Sequence, residues 1–485
     1  MPFWRSIVDF LAVPTTKETT SSVWINDDIR PLPPSRRTWT KYAFISFWAI
    51  NQICLSNWQT VIAVIVGKIL IATHIGFPVW SRVVWGMYGA YLALLQRILM
   101  SLVWFAVQSW TGGLCVTAVL SSIFSGFQHM ENTFPESAHM TTKQFIGWII
   151  YNVLTVPMLY LPPDKIKRLL AVMNAISFFT LLSMLIWALS AANGGGPLLS
   201  KPSTVSSSSD LGWSIVGGIT SVIGSIAVGL TNQADYSRFA RRPGDQWLDT
   251  NYNAKSRAAA FFAGIGLVVC QLAINTVDNA FSTGMDLSGL LPRFINIRRG
   301  SYIGLVISIA LCPWELLTSA GTFIQVLSAY SVFLGPMCGL MIAEYWVVRV
   351  RKVRLTDLYD PHRQGIYYYW YGINWRAFVA WVVGFAPQLP GFINAMNPRT
   401  TVPVGCTRLY YLAFPLGFAI SFLVYVALNR ISPLAGLGEF DDVDYFGTFS
   451  ADEAARLGVI PRNEIEGVEV PGDLKQVNSE VRPKS

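Results

Sequence analysis

Trp104 and Gln108, in the stretch WFAVQSW (104–110), set a flat aromatic face and a carboxamide four residues apart in an otherwise apolar run. Residues at that spacing share one side of a helix, about a turn apart. Inside a membrane a polar side chain is costly, so it turns to a cavity or a partner helix. A second amide, Asn279 in QLAINTVDNAFS (271–282), brings N–H donors and a carbonyl acceptor to another apolar run. Both residues also have structural readings: Trp104 as packing or an interfacial anchor, Asn279 as a cap or a contact between helices. Asp278 adds an ionisable group next to Asn279, but about 100° round the helix. It is a candidate for proton coupling, or else the partner of a group on another helix. Asp235 and Arg238 in NQADYSRFA (232–240) read as a structural pair closing a helix end.

A membrane must hold these groups. The 485 residues are 52% hydrophobic and 13% charged, with 18 tryptophans, against roughly 25% charged in a soluble domain. The net charge of +8 sits in short Lys/Arg clusters between apolar runs, as in cytoplasmic loops, which argues against nucleic-acid binding. The six cysteines (54, 115, 270, 312, 338 and 406) stand singly, at no metal or redox spacing, so no metal site is expected. The four histidines (74, 129, 139 and 362) are dispersed and no Ser/His/Asp grouping falls on a helix, so neither an enzyme nor a cofactor is expected. Residues 1–41 are polar and do not resemble a cleaved signal peptide.

A spanning helix needs about 20 mainly apolar residues. Candidates fall at 42–73, 88–123, 144–162, 166–192, 213–234, 258–283, 301–320, 324–348, 374–394 and 406–429. The expectation is an all-α polytopic membrane protein: a cytosolic segment 1–41, a transmembrane domain 42–430 and a cytosolic tail 431–485, acidic and with little fixed structure. The positive-inside rule then assigns sides. Arg30, Arg36, Arg37 and Lys41 place the N-terminus inside, and Arg82 places the loop after 42–73 inside as well, although that run is too long for one helix and too short for two. The loop 124–143, with Glu131 and Glu136, reads as outside; Lys165, Lys167 and Arg168 as inside; the Gly/Ser stretch 194–210 as outside; Arg238, Arg241 and Arg242 as inside. There the alternation fails. The span 258–283 leaves an inside loop, yet Arg293, Arg298 and Arg299 in LPRFINIRRG (291–300) also ask for the inside. Either a helix is missing between Arg242 and Ala258, or one basic loop lies on the wrong side.

The motifs NDDIRPLPPSRRTWTKYAFISFW (26–48), HIGFPVWSRVVWGMYG (74–89), WFAVQSWTGG (104–113), NQADYSRFA (232–240), GMDLSGLLPRFINIRRGS (284–301), YSVFLGPMCGLMIAEYWVVR (330–349) and INWRAFVAWVVGFAPQLPGF (373–392) follow one another in order. Together they resemble the fungal branch of the nucleobase–cation symport family, which includes uracil, uridine, allantoin, thiamine and nicotinamide riboside permeases. The tail DDVDYFGTFSADEAARLG is similar to the thiamine-type members, WFAVQSW to the uracil-type ones. The resemblance implies a twelve-helix plasma-membrane transporter with a five-helix inverted repeat, of which about ten helices are represented here. Two departures stand out: WQTVIAVIVGKILIAT (58–73) replaces parts of the first two helices, and the seventh helix is absent between Gln246 and Trp247.

The same resemblance implies roles. Trp104 stacks on a planar heterocycle, Gln108 bonds its amide edge, and Asn279 matches a substrate-binding asparagine on the eighth helix. The second aromatic wall of sodium-driven bacterial members falls on Ile226, and their sodium-binding hydroxyls fall on Ala273 and Ile274. Neither of the latter offers a side-chain oxygen to a hard cation, so the proton is the expected coupling ion. The polar interruption NQICLSN (51–57), with Asn51, Gln52, Ser56 and Asn57, is the candidate unwound segment facing substrate. The expected partners are a small heterocyclic substrate and the lipid bilayer. The competing expectation is a non-transporting sensor or an inactive truncated splice form.

Overall fold

The computed structural model describes residues 11–13, 24–33, 35, 74–163, 165–191, 207, 209–213, 216, 254–318, 330–360, 365–397 and 399–461. The run 42–73, most of the span 213–234 and the junction at 246–247 lie outside the described residues, as do Asn51, Gln52, Ser56, Asn57, Ile226, Asp235 and Arg238. Among the described residues there is no strand, only two isolated bridges.

The elements are α1 (Phe77–Trp85), α2 (Ala90–Ile123), α3 (Thr142–Tyr160), α4 (Lys167–Ala191) and α5 (Ala254–Ile274). A π-helical turn (Asn275–Phe281) continues α5 into α6 (Ser282–Leu290), followed by α7 (Ile297–Ala310) and α8 (Pro313–Thr318). Then come α9 (Ser331–Ala343), a second π turn (Glu344–Val348), α10 (Trp375–Phe385), α11 (Leu389–Met396), α12 (Val404–Tyr411), α13 (Ala413–Ile431) and α14 (Ala451–Leu457). Five of the described helical runs are long and apolar enough to cross a membrane: Ala90–Ile123, Arg168–Ser190, Ser256–Leu290, Trp375–Met396 and Ala413–Ile431.

The spans expected at 88–123, 144–162 and 166–192 match α2, α3 and α4 within two residues at each end. Three others are corrected by proline. The span 301–320 breaks at Leu311–Cys312, where Pro313 removes an N–H donor and Cys312 takes a left-handed φ of 46°. Pro387 and Pro390 split 374–394 into α10, a 3-10 turn and α11, and α12 is separated from α13 at Leu412. The span 258–283 is longer than expected, because the π turn absorbs the register and lets the helix run on to Leu290.

Local chemistry sets the ends. Thr141 and Gln144 form a capping box that starts α3. At α7, Asn296 Oδ1 accepts from the Arg299 N–H at 2.9 Å and Asp28 Oδ2 from the Ile297 N–H at 2.8 Å, satisfying donors that a helix start leaves open. Small residues let helices close on each other. A Cβ on Gly300 would sit 2.8 Å from the Gly284 Cα, where α6 meets α7, and Gly112 on α2 leaves room for the Tyr151 ring of α3.

One packing group surrounds α2 with α3, α5, α6 and α7, and another joins α9, α10 and α13, with α1 touching both. Helix α1 corrects the picture of an open loop after residue 73. Arg82 is buried in it, donating to the carbonyls of Trp24 at 3.1 Å and Leu358 at 2.8 Å. The tail is corrected too. Asp441 accepts from the Leu355 N–H and the Thr356 hydroxyl, both at 2.6 Å, Asp444 caps the turn at Thr448 and Phe449, and a Ser450–Glu453 capping box starts α14. Up to residue 461 this segment is folded onto the helices.

Candidate heterocycle site

Trp104 and Gln108 lie a turn apart on α2, and both are buried. Trp104 belongs to a small apolar cluster with Val103 and Val107, flanked by Leu311, Leu316 and Leu317 from the broken α7–α8 segment. Gln108 is different: its Oε1 is buried without a hydrogen-bond partner among the described residues. A buried carbonyl left unpaired costs about 1–3 kcal/mol, a deficit that a ligand donor would relieve.

Asn279 lies in the π turn, 6% exposed. Such turns are rare, disrupt the regular ladder and concentrate at functional sites. Its Nδ2 donates to Asn275 Oδ1 at 2.9 Å, and Asn275 Nδ2 lies 3.5 Å from the Phe105 carbonyl of α2. Phe105 packs with Ala280 and Leu305. The structure thus brings the α2 stretch that holds Trp104 and Gln108 against the turn that holds Asn279. Asp278 does not share this setting. It is half-buried where Asn275 and Asn279 are buried, and it makes contacts of its own.

Several polar groups escaped the sequence reading. Asn275 lies four residues before Asn279 in the same run, a spacing that could have revealed it. Gln271 Oε1 and Thr276 Oγ1 are, like Gln108 Oε1, buried and unpartnered among the described residues, and the buried Tyr151 OH lies next to Asn275 and Thr155. Two acids stand in for those considered from sequence. Asp286 is fully buried, with Oδ2 bonded to Arg97 Nε at 2.6 Å and Oδ1 without a partner. Glu344 is equally buried, against Arg349. Ala273 is fully buried and presents only a methyl group, as the sodium argument assumed.

A cavity of about 230 Å³ opens on the far side of Phe281, bounded by Asp28, Leu159, Pro162, Asn296 and Arg298. None of the three expected site residues lines it, and it is smaller than the roughly 300–1,000 Å³ of ordinary ligand pockets. Among the described residues no group of three His, Cys, Asp or Glu side chains is placed to hold a metal ion.

The family model described as a permease for cytosine/purines, uracil, thiamine and allantoin matches residues 60–254 and 245–417. The chain is 42% identical to the transporter aclS of Aspergillus oryzae, over 91% of this chain and 92% of that one. It is 30% identical to a thiamine transporter of Saccharomyces cerevisiae, over 95% of this chain and 88% of the yeast protein. Among solved structures it resembles Mhp1, a nucleobase-cation-symport-1 family transporter captured closed with bromovinylhydantoin bound, with a TM-score of 0.57, 19% identity, and coverage of 90% of this chain and 99% of that one. That likeness carries the fold, a helical inverted-repeat transporter fold. The alignment with aclS runs over 558 positions although 91% of 485 residues is about 441, so more than 100 positions of the relative face no residue here.

Proposed function

The chain belongs to the family of permeases for cytosine/purines, uracil, thiamine and allantoin, and from that membership we propose that it is a proton-coupled symporter for a uracil-like heterocycle. The substrate is a nucleobase, nucleoside or related ring: uracil, uridine, allantoin, thiamine or nicotinamide riboside. It moves by alternating access across the plasma membrane, with both termini in the cytosol. The observation that carries the reading is the unpaired Gln108 carbonyl, one turn from Trp104 on a helix that packs against the turn bearing Asn279. An indole face and two amides fit a flat ring with a donor and acceptor edge. Mhp1 was captured with a ring of that kind, a hydantoin.

For coupling, Ala273 and Ile274 supply no hydroxyl to sodium. The proton falls to a carboxylate, either Asp278, beside Asn279, or Asp286, which keeps one unpartnered oxygen. Uptake should therefore follow an inward pH gradient and ignore replacement of sodium by choline, in a version with the missing segments restored from a relative. A steep sodium dependence at fixed pH would overturn proton coupling.

A second reading is a non-transporting membrane sensor or an inactive truncated splice form of such a permease. One finding favours it: the family model matches in two pieces that use residues 245–254 twice. The overlap falls on the junction at 246–247 where the seventh helix is missing. Radiolabel uptake separates the two readings: a version with the missing segments restored transports if the site is that of a symporter and does not if it is that of a sensor, and the unaltered chain shows whether this form is inactive.

A further inference from the structure

We propose that Asn275 is a positioning residue that fixes which end of the Asn279 carboxamide faces the substrate, and so sets the substrate edge that the site accepts. The inference rests on the heterocycle-binding reading above and assigns it a polarity. The Phe105 carbonyl can only accept a hydrogen bond. Asn275 faces that oxygen with Nδ2 at 3.5 Å; turned over, it would oppose one carbonyl oxygen to another in a dry helix interface. With Nδ2 held there, Asn275 offers Oδ1 on its other side. An oxygen can be met only by a donor, so Asn279 must present Nδ2, as it does at 2.9 Å.

The polarity of both amides is thus dictated by a backbone oxygen. Asn279 Oδ1 is the end of that carboxamide not engaged by Asn275. In the proposed site it offers the ring a carbonyl acceptor, with the unpaired Gln108 Oε1 on the neighbouring α2. A ring edge bearing N–H groups satisfies such acceptors, and an edge of bare nitrogens or N-alkyl groups does not. Selection among heterocycles follows from leaving a buried acceptor unpaired, which discriminates more strongly than a missing apolar contact.

Asn275→Leu keeps the side-chain shape and removes both amide contacts, whereas Asn275→Asp, neutral in this buried position, keeps an O–H donor for the Phe105 carbonyl and an acceptor for Asn279. The full chain, reconstituted in lipid nanodiscs, is titrated with radiolabelled uracil in competition with its 1-methyl and 3-methyl derivatives. In the wild-type chain the derivative methylated at the edge facing Asn279 should bind roughly tenfold more weakly or worse, the worth of one hydrogen bond. Asn275→Leu should lose most of that discrimination, because the Asn279 amide can then turn over, and Asn275→Asp should retain it. Unchanged discrimination in Asn275→Leu overturns the proposal. A second readout needs no ligand: with asparagine side chains labelled by nitrogen-15, the Asn279 amide protons, assigned with Asn279→Asp, should exchange slowly in the wild type and in Asn275→Asp, and fast in Asn275→Leu. Equal exchange in all three overturns the positioning role. Failure of the wild-type chain to bind all three rings counts against the heterocycle reading, while the exchange measurement still decides the role of Asn275.

Discussion

In the proposed site Gln108 and Asn279 divide the recognition of one ring edge between two helices, so each should matter separately. In a version with the missing segments restored, Gln108→Ala and Asn279→Ala should each weaken substrate by about 1–3 kcal/mol, enough to abolish uptake at low concentration while surface labelling persists. Unchanged affinity in both variants would remove them from the site. Trp104 and Gln108 were legible in the sequence because a spacing of four survives any reasonable placement of helix ends. For Asn275 the spacing of four from Asn279 was legible too, but its contact to a backbone oxygen on another helix was not, because main-chain partners leave no mark in the sequence. Asp286 was hidden for a related reason: its partner Arg97 is 189 positions away, so neither charge announces the other.

At the level of elements, hydropathy identified α2, α3 and α4, since each is one unbroken apolar run, but it could not see turns that interrupt a run without changing its composition. The π turn at Asn275–Phe281 and the second at Glu344–Val348 are of that kind. Loop charges hide a further distinction: a topogenic arginine and a buried one are the same letter. Arg349 follows α9 as a loop arginine would, yet its side chain is fully buried, bonded to Glu344 at 2.7 Å and to Tyr369 OH at 2.9 Å, while Tyr425 OH of α13 donates to the other Glu344 oxygen at 2.8 Å. The pair ties α9 to α13 and to the segment before α10. Removing one partner strands a buried charge and costs about 3–5 kcal/mol. Arg349→Met should therefore lower the melting temperature in detergent sharply, and the double variant Glu344→Gln/Arg349→Met should recover most of the loss. A double variant no more stable than Arg349→Met would mean that the contacts around the pair, not the charge, carry the stability.

For the whole molecule, the failure of charge alternation acquires a physical location. The run Ser256–Leu290 has 35 residues, about 52 Å of helix against a hydrocarbon core of about 30 Å, so it crosses once and its two ends face opposite sides. Its start is pinned: Arg257 donates to the carbonyls of Ser122 and Ile123 at 2.7 and 2.6 Å, at the end of α2 that leads into the acidic loop 124–143. Its far end is pinned at the other end of α2, where Asp286 holds Arg97. Arg293 to Arg299 thus share the side of residue 97, whereas in the sequence Arg238 to Arg242 come only fifteen residues before Arg257, at the opposite end of this run. A seventh helix between them would return the basic stretch to its own side; without it the positive-inside preference and the packing conflict. We expect the unaltered chain to be retained and degraded and to take up no substrate. Restoring the seventh helix alone should repair the alternation but leave the first two helices incomplete, so surface labelling should rise before uptake does, and only both insertions should give transport. Surface labelling and uptake of the four versions, side by side, test this order, and robust uptake by the unaltered chain would refute it.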